Sequence, residues 1–189
     1  IPQISPISPW TSVLGLGFQM GARKFRARYA KDHPPEFAEG IVQTYRKEWA
    51  PLVPKLWYAL QDAAVRAVWD RKPCEAYGIR YQLEDGWLSC RLLSGRKIWY
   101  FNPKPISKAM PWDELDVRPA WQYNAMKMGQ WRTIDAFGGL LTENVVMGTQ
   151  RDLMTTAMFK CEQNNLPIVL NVHDEIITEP EERYCDRKA

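Results

Sequence analysis

The sequence has few of the residues on which many metal hydrolases and zinc proteins depend. It contains two histidines, His33 and His173, and no H-E-x-x-H pattern, which excludes a zinc protease of that type and argues against a histidine-rich hydrolase site. The four cysteines form no C-x-x-C pair, so neither a zinc site nor a disulfide framework is expected. This cysteine usage is typical of a reducing, cytoplasmic setting. No apolar run approaches the length of a membrane span, and we predict no membrane partner.

A large charge of one sign is also absent. The 189 residues carry 25 Lys and Arg against 22 Asp and Glu, a net charge of +3. Any binding of nucleic acid must therefore depend on local clusters. The chain is 46% hydrophobic, which is enough to bury a core. Residues 1–12 contain repeated prolines and no basic segment followed by an apolar one, so we expect a disordered start rather than a signal peptide.

The most informative stretch is residues 167–179, PIVLNVHDEIITE. Two β-branched runs flank His173, Asp174 and Glu175, which predicts a β-hairpin with three polar side chains at its tip. Neighbouring carboxylates at a strand end suit Mg²⁺, a hard cation that takes one or two carboxylate oxygens and leaves other positions to water and phosphates. Asp174 and Glu175 are therefore candidate metal ligands. A solvated turn fits the same three residues, and the pattern alone does not choose.

Residues 13–30 carry apolar side chains at helical spacing and predict one helix. A helix of this composition would present cations to phosphates and an aromatic ring to a base, although a solvated basic face fits the charges equally well. Two further helices are predicted over residues 36–49 and 52–69. The cations within this segment and directly after it are Arg23, Lys24, Arg26, Arg28 and Lys31.

Beyond residue 76 the pattern changes to short strands with turns at residues 84–86 and 94–95. Basic residues near the second turn would grip a nucleic-acid backbone or protect a sheet edge from aggregation. We expect residues 104–130 to be irregular. A helix over residues 142–163, with Thr142 as its N-cap, then leads into the hairpin and gives an α+β fold.

Five segments in this order resemble the fingers and palm of family-A DNA polymerases, with bacteriophage-type members the closest. The resemblance extends from about Val13 to Glu179. The segments are LGLGFQMGARKF, TYRKEW with LW and AA after it, CRLLSGRKIWY, FGGLLTENVV with RDL, and IVLNVHDEIITE.

This resemblance implies a DNA-directed DNA polymerase, a nucleotidyltransferase of DNA replication that uses two Mg²⁺ ions, deoxynucleoside triphosphates and a DNA template-primer. It divides the chain into a fingers-like region at 13–75, a connection at 76–130 and a partial palm at 131–189, in which a helix packs on the antiparallel hairpin. The implied catalytic residues are Asp174, Glu175 and His173, the first two as metal ligands. The implied nucleotide-binding residues are Phe18, Leu14, Arg23 and Lys24, and the implied DNA-binding residues are Arg96, Lys97, Arg132, Glu143, Asn144 and Arg151.

The sequence also departs from the family pattern. Pro6 and Trp10 stand where the family has an arginine and a lysine that hold the triphosphate, while Met147 and Leu93 replace a common glutamine and proline. The family's other metal-binding aspartate motif has no counterpart, because residues 113–116, DELD, lack both its strand context and its place in the order. We therefore expect an incomplete polymerase, inactive alone, that needs an N-terminal polymerase fragment. The alternative is a non-catalytic nucleic-acid-binding fragment or a subunit of a split polymerase.

Overall fold

The computed structural model describes residues 13, 15–110 and 113–181, and it confirms the α+β class. The chain divides into two compact units, Ile1–Val145 and Val146–Ala189. The division falls inside the long helix Gly138–Gln163. Leu14 and residues 1–12, including Pro6 and Trp10, lie outside the described residues. The assignment of regions to fingers and palm stays a prediction.

Helices form the first part of unit Ile1–Val145. They are α1 (Ala22–Tyr29), α2 (Pro35–Thr44), a π-helical turn (Tyr45–Trp49) and α3 (Leu52–Trp69). Proline at the first position of α2 suits a helix start, because the amide that proline lacks would have no partner there. The predicted helices at 36–49 and 52–69 are confirmed. A small core joins these elements through Leu16, Phe25, Ala30, Ala38, Val42 and Tyr45.

The prediction of one helix over residues 13–30 is wrong. Residues 15–17 are helical, but the chain turns at Phe18 and Gln19 before α1 begins. Gln19 adopts a left-handed conformation with φ of 68°. The Gln19 amide bonds to the Leu16 carbonyl and the Met20 amide to the Gly15 carbonyl, each at 3.3 Å. These two bonds form a Schellman ending, which closes the first helical segment.

A six-stranded antiparallel sheet follows, with its strands adjacent in chain order. Three of its connections are two-residue turns in which both residues have positive φ, as type I′ turns require. These turns are Tyr77-Gly78, the expected Asp85-Gly86, and Met128-Gly129. The strands are β1 (Cys74–Ala76), β2 (Ile79–Glu84), β3 (Trp87–Arg91), β4 (Lys97–Met110), β5 (Asp113–Lys127) and β6 (Gln130–Asp135).

The expectation that residues 104–130 are irregular is wrong, because they form most of β4 and β5. Prolines at 103, 105 and 119 are unusual in strands, since proline cannot donate a ladder hydrogen bond. However, the pairing of β3 with β4 stops at the pair of Trp87 and Phe101, so the far half of β4 pairs with β5 alone. The outer edges of these parts of β4 and β5 therefore need no hydrogen-bond donor. The DELD residues lie at the start of β5 and so do have strand context, with Asp116 paired to Arg118 at 2.7 Å.

Helix α3 packs against one face of the sheet and forms the main core. Alternation along the strands brings Tyr81, Cys90, Tyr100 and Trp121 to this face, each no more than 2% exposed. The rings of Tyr100 and Trp121 meet edge to face with centroids 5.4 Å apart. Burial raises the pKa of the Cys90 thiol to about 11.

Helix α4 (Gly138–Gln163) starts one turn earlier than predicted, so Thr142 is not its N-cap. Thr142 is instead 3% exposed, and its hydroxyl has no hydrogen-bond partner among the described residues. The helix ends in a second Schellman motif around Asn165 and leads into β7 (Ile168–Val172) and β8 (Glu175–Thr178). The predicted hairpin is confirmed. None of the helices in the described residues is long and apolar enough to cross a bilayer.

Candidate functional site

The turn at residues 17–20 carries Phe18, the first candidate nucleotide contact. Trp57 Nε1 donates to the Gly17 carbonyl at 2.7 Å, and Trp57 is fully buried. Arg46 donates to the Met20 carbonyl at 3.1 Å and lies over the Trp57 ring at 5.4 Å. Both ends of the turn are therefore fixed by side chains that are distant in sequence, and the half-buried Phe18 is held between them.

The first turn of α4 packs against the Phe18 turn. Helix N-termini leave backbone amides without intrahelical partners. Here Gln61 Oε1 accepts from the Gly138 amide at 2.9 Å, and Gln19 Oε1 accepts from the Gly139 amide at 2.8 Å. Two glutamines from other segments thus cap α4, which explains why Thr142 is not needed for this.

Gly138 and Gly139 allow this approach because they have no side chains. A Cβ on Gly138 would lie 2.8 Å from the Trp57 carbonyl carbon, and one on Gly139 would lie 2.7 Å from the Phe18 carbonyl carbon. Both distances are shorter than a non-bonded contact permits. The sequence prediction missed Gln19, Gln61 and both glycines as parts of this site, although a Gly-Gly pair before a helical pattern signals close backbone approach.

Arg23 and Lys24 lie exposed on α1, beyond the Phe18 turn. Arg23 lines a groove of about 670 Å³ together with Arg26, Lys31 and one acid, Glu39. Arg26 Nε also donates to the His33 carbonyl at 2.7 Å. Lys24 does not line the groove. Three cations against one carboxylate in a concave surface suit a phosphate-bearing ligand.

The tip of the β7–β8 hairpin is the candidate metal site. Val172 pairs with Glu175, which leaves His173 and Asp174 as the turn. All three predicted residues are exposed, and His173 has a left-handed φ of 51°. Tyr77, Asp85 and Met128 have the same left-handed backbone in two-residue turns of the sheet, so this φ is a feature of a tight turn.

The donor set at this tip fits Mg²⁺ in type, because Asp174 and Glu175 offer carboxylate oxygens. Within the described residues, no three His, Cys, Asp or Glu side chains form a group that could hold a metal ion. The described part of the chain therefore supplies at most these two adjacent ligands.

Some candidate DNA contacts have structural partners in unit Ile1–Val145. Lys97 donates to Glu84 at 2.6 Å and lies over the Trp99 ring at 5.3 Å. Asn144 donates to the Tyr100 hydroxyl at 3.0 Å, and it is half-buried. Burial raises the pKa of Tyr100 well above its usual value, so this hydroxyl stays protonated. The Asn144 side chain therefore already has a structural partner in the sheet core.

The other candidates are exposed but are not gathered in one place. Arg96 lies in the β3–β4 turn, and Arg132 on β6 donates to Gln130 at 3.3 Å. Arg132 alternates with Trp131 and so lies on the opposite face of the sheet from Lys97. Glu143 is exposed on α4 within Ile1–Val145, whereas the exposed Arg151 belongs to Val146–Ala189.

Sequence comparison relates the chain to a phage protein. A DNA polymerase of Bacillus phage SP02 is 32% identical to this chain over 145 residues, which cover 74% of the chain. The chain is related to a DNA polymerase. It spans 22% of the length of that phage protein. No protein-family model matches the chain, and no solved structure matches it.

In this polymerase-related chain, the candidate groups are divided between the two units. Phe18, Arg23 and Lys24 belong to Ile1–Val145, where the backbone of the Phe18 turn is firmly held. His173 and Asp174 belong to Val146–Ala189, where the hairpin turn exposes them. Each unit thus carries residues of one expected role, nucleotide contact in the first and metal binding in the second.

Proposed function

We propose that this chain is part of a DNA-directed DNA polymerase of family A that carries out template-directed nucleotidyl transfer in DNA replication. The observation that carries the proposal is the 32% identity over 145 residues to a phage DNA polymerase. The exposed carboxylates at the hairpin tip and the cationic groove on α1 support it. The proposed setting is the cytoplasm, that of a bacterial host if the chain is viral.

In this proposal the Phe18 turn and α1 bind the incoming deoxynucleoside triphosphate. Phe18 stacks beside the nascent base pair, with Leu14 one turn earlier in sequence, because an aromatic ring can stack on any base. Arg23 and Lys24 attract the triphosphate, because exposed cations neutralise phosphate charge. The anchored turn would hold the ring of Phe18 in place without a further ordering cost on binding.

Asp174 and Glu175 are proposed to hold Mg²⁺, and His173 to lie near the primer terminus. When bound there, Mg²⁺ would activate the primer 3′-hydroxyl and neutralise charge on the leaving pyrophosphate. The template-primer would meet Arg96, Lys97, Arg132, Glu143, Asn144 and Arg151.

Two-metal chemistry requires carboxylates that bridge both ions. The tip offers Asp174 and its neighbour Glu175, and the described residues hold no larger group of potential ligands. We therefore propose that the 189-residue chain is inactive alone and that an N-terminal polymerase segment supplies the other aspartate.

Primer extension with Mg²⁺ tests this proposal. The chain alone should not extend a primer, and the chain with an N-terminal polymerase segment should. Asp174→Asn should reduce extension by the combined protein about 100-fold or more, because it removes a metal ligand. The matched control is Asp70→Asn, at an exposed aspartate that ends α3. Robust synthesis by the chain alone would refute the requirement for another segment.

Metal binding can be measured without activity. Mn²⁺ should broaden the NMR signals of residues 173–175 in the wild-type chain and not in Asp174→Asn. If DNA binding is salt-sensitive but extension is absent even with the N-terminal segment, the chain is a non-catalytic nucleic-acid-binding subunit instead. The small donor set at the tip is the observation that favours this second candidate.

A further inference from the structure

The face of the six-stranded sheet that points away from α3 carries exposed aromatic rings. Trp87 pairs with Phe101 across β3 and β4, and their ring centroids are 4.7 Å apart. Phe101 also meets Trp131 of β6 at 5.4 Å, and Trp99 precedes it on the same face of β4. The exposed fractions are 37% for Phe101, 38% for Trp87, 46% for Trp99 and 60% for Trp131. We call these four residues the aromatic row.

The aromatic row is not needed to complete the core. The sheet core lies on the opposite face, where Tyr81, Leu88, Tyr100 and Trp121 are buried against α3 and one another. Contiguous exposed aromatic surface is uncommon on a folded domain and usually marks a binding surface. The aromatic row is therefore a candidate binding surface.

A cationic row lies beside the aromatic row on the same face. Arg80 pairs with Arg91, and Arg91 pairs with Lys97, so these three side chains stand next to one another across β2, β3 and β4. With Glu84 as the only acid, they line a shallow pocket of about 210 Å³. The Arg80 Nε is buried and has no hydrogen-bond partner among the described residues. Three cations against one carboxylate favour an anionic occupant.

The two rows are close enough for one ligand to touch both. Lys97 and Trp99 are two residues apart on β4, a separation of about 7 Å along a strand. The Lys97 ammonium lies 5.3 Å from the centre of the Trp99 ring. An occupant thus needs negative charge and flat, stackable groups at a spacing of this order.

We infer that this sheet face binds single-stranded nucleic acid, with phosphates on the cationic row and bases on the aromatic row. Stacking of bases on aromatic side chains beside a cationic groove is how proteins hold single strands without sequence preference. A duplex hides its base faces and could use only the cations. The inference adds a single-strand site to the proposed function and shares only Lys97 with it, because the surface lies in Ile1–Val145 and needs neither carboxylate of the hairpin tip.

The first test is fluorescence anisotropy of labelled dT20 with the full 189-residue chain in EDTA. Trp99→Ala and Trp131→Ala should each weaken binding about fivefold or more, because each removes a stacking partner. The matched control is Trp49→Ala, which removes a tryptophan from the helical part that is more exposed than either, at 65%. It should change the affinity less than twofold. Circular dichroism melting confirms that each variant is folded.

The second test separates the two rows. Arg91→Ala should lower the salt dependence of dT20 binding by about 0.7 in the slope of log K against log salt, the value for one phosphate contact on a single strand. Lys55→Ala, at an exposed lysine on α3, should leave the slope unchanged. An abasic 20-mer should bind the wild type and Trp99→Ala equally, because it has no bases to stack.

Three results would overturn the inference. They are absence of dT20 binding by the wild type, unchanged dT20 affinity in both tryptophan variants, and a dimer in sedimentation that Trp131→Ala dissociates, which would show that a second copy covers the face. If the chain combined with an N-terminal polymerase segment fails to extend a primer while the 189-residue chain still binds dT20, the proposed polymerase function is wrong and this inference stands.

Discussion

The Phe18 turn and the hairpin tip hold candidate active residues by opposite means. The turn depends on buried, long-range contacts, such as Trp57 with Gly17 and Gln19 with Gly139. The tip depends on local pairing of Val172 with Glu175, and its residues are exposed. Substitutions at the turn should therefore cost folding stability, whereas substitutions at the tip should change chemistry alone.

The substitution expected to have the largest effect on stability at the Phe18 turn is Gly139→Ala. The added Cβ would meet the Phe18 backbone, which cannot move without disturbing the turn. We expect a loss of about 3 kcal/mol in the free energy of unfolding, measured in urea. Gly40→Ala is the matched control, because nothing lies within 4 Å of its position in α2. There alanine should stabilise by up to about 1 kcal/mol. A loss below about 1 kcal/mol at Gly139 would contradict the contrast.

A second comparison uses two tryptophans that each donate to a carbonyl. Trp57 is buried and bonds Gly17 at 2.7 Å, whereas Trp69 is 42% exposed and bonds Ala120 at 2.9 Å. Trp57→Phe should lower the free energy of unfolding by about 2 kcal/mol, because the half-buried Gly17 carbonyl is left without that donor. Trp69→Phe should cost about 0.5 kcal/mol or less, since water can replace the donor. If thermal melts gave equal losses of stability for the two variants, burial would not explain the larger contribution of the Trp57 hydrogen bond.

An exposed ion pair in the sheet should matter less than either buried contact. Hydrogen bonds from Lys108 and then Gln122 hold the pKa of Asp135 below its ordinary value of 3.8. Because the folded pKa is lowered, the stabilisation is intact above pH 3.8 and is lost as pH falls through the lowered value. Solvent exposure of the pair limits the effect to less than about 1 kcal/mol.

The measurement for this pair is the free energy of unfolding as a function of pH. Asp135→Asn should flatten the acid limb of the curve slightly. A variant curve parallel to that of the wild type would show that the ion pair contributes nothing.

The smallest expected effect on stability is that of Asp174→Asn. The side chain is exposed in a two-residue turn, so the free energy of unfolding should change by no more than about 0.5 kcal/mol. Thermal melting in EDTA measures this without any contribution from metal. A larger loss would mean that Asp174 supports the hairpin and would weaken its use as an active-site probe.

The contrast between local pairing and long-range contacts also explains which features could be predicted from the sequence. The hairpin was predictable because two β-branched runs on either side of a short polar turn are local signals, as was the Asp85-Gly86 turn. The Phe18 turn was not, because the Schellman ending has Gln19 in the left-handed position where glycine is usual, and its stabilising partners are remote in sequence.

The missed strands have a different cause. Proline is a poor strand residue when both edges of the strand are paired, and the sequence does not reveal that the far half of β4 pairs on one side. The Met128-Gly129 turn was a usable signal, since its second residue is a glycine and both flanking strands contain aromatic residues. Caps on α4 from Gln19 and Gln61 could not be inferred from the helix itself.

Cys90, in the middle of the sheet core, can report how often the core opens. Its thiol is inaccessible, and the raised pKa of about 11 keeps it protonated and unreactive at neutral pH. Alkylation of Cys90 therefore requires the sheet to separate from α3. The rate at which mass spectrometry detects that modification would report how often the core opens, in a protein that needs no added label.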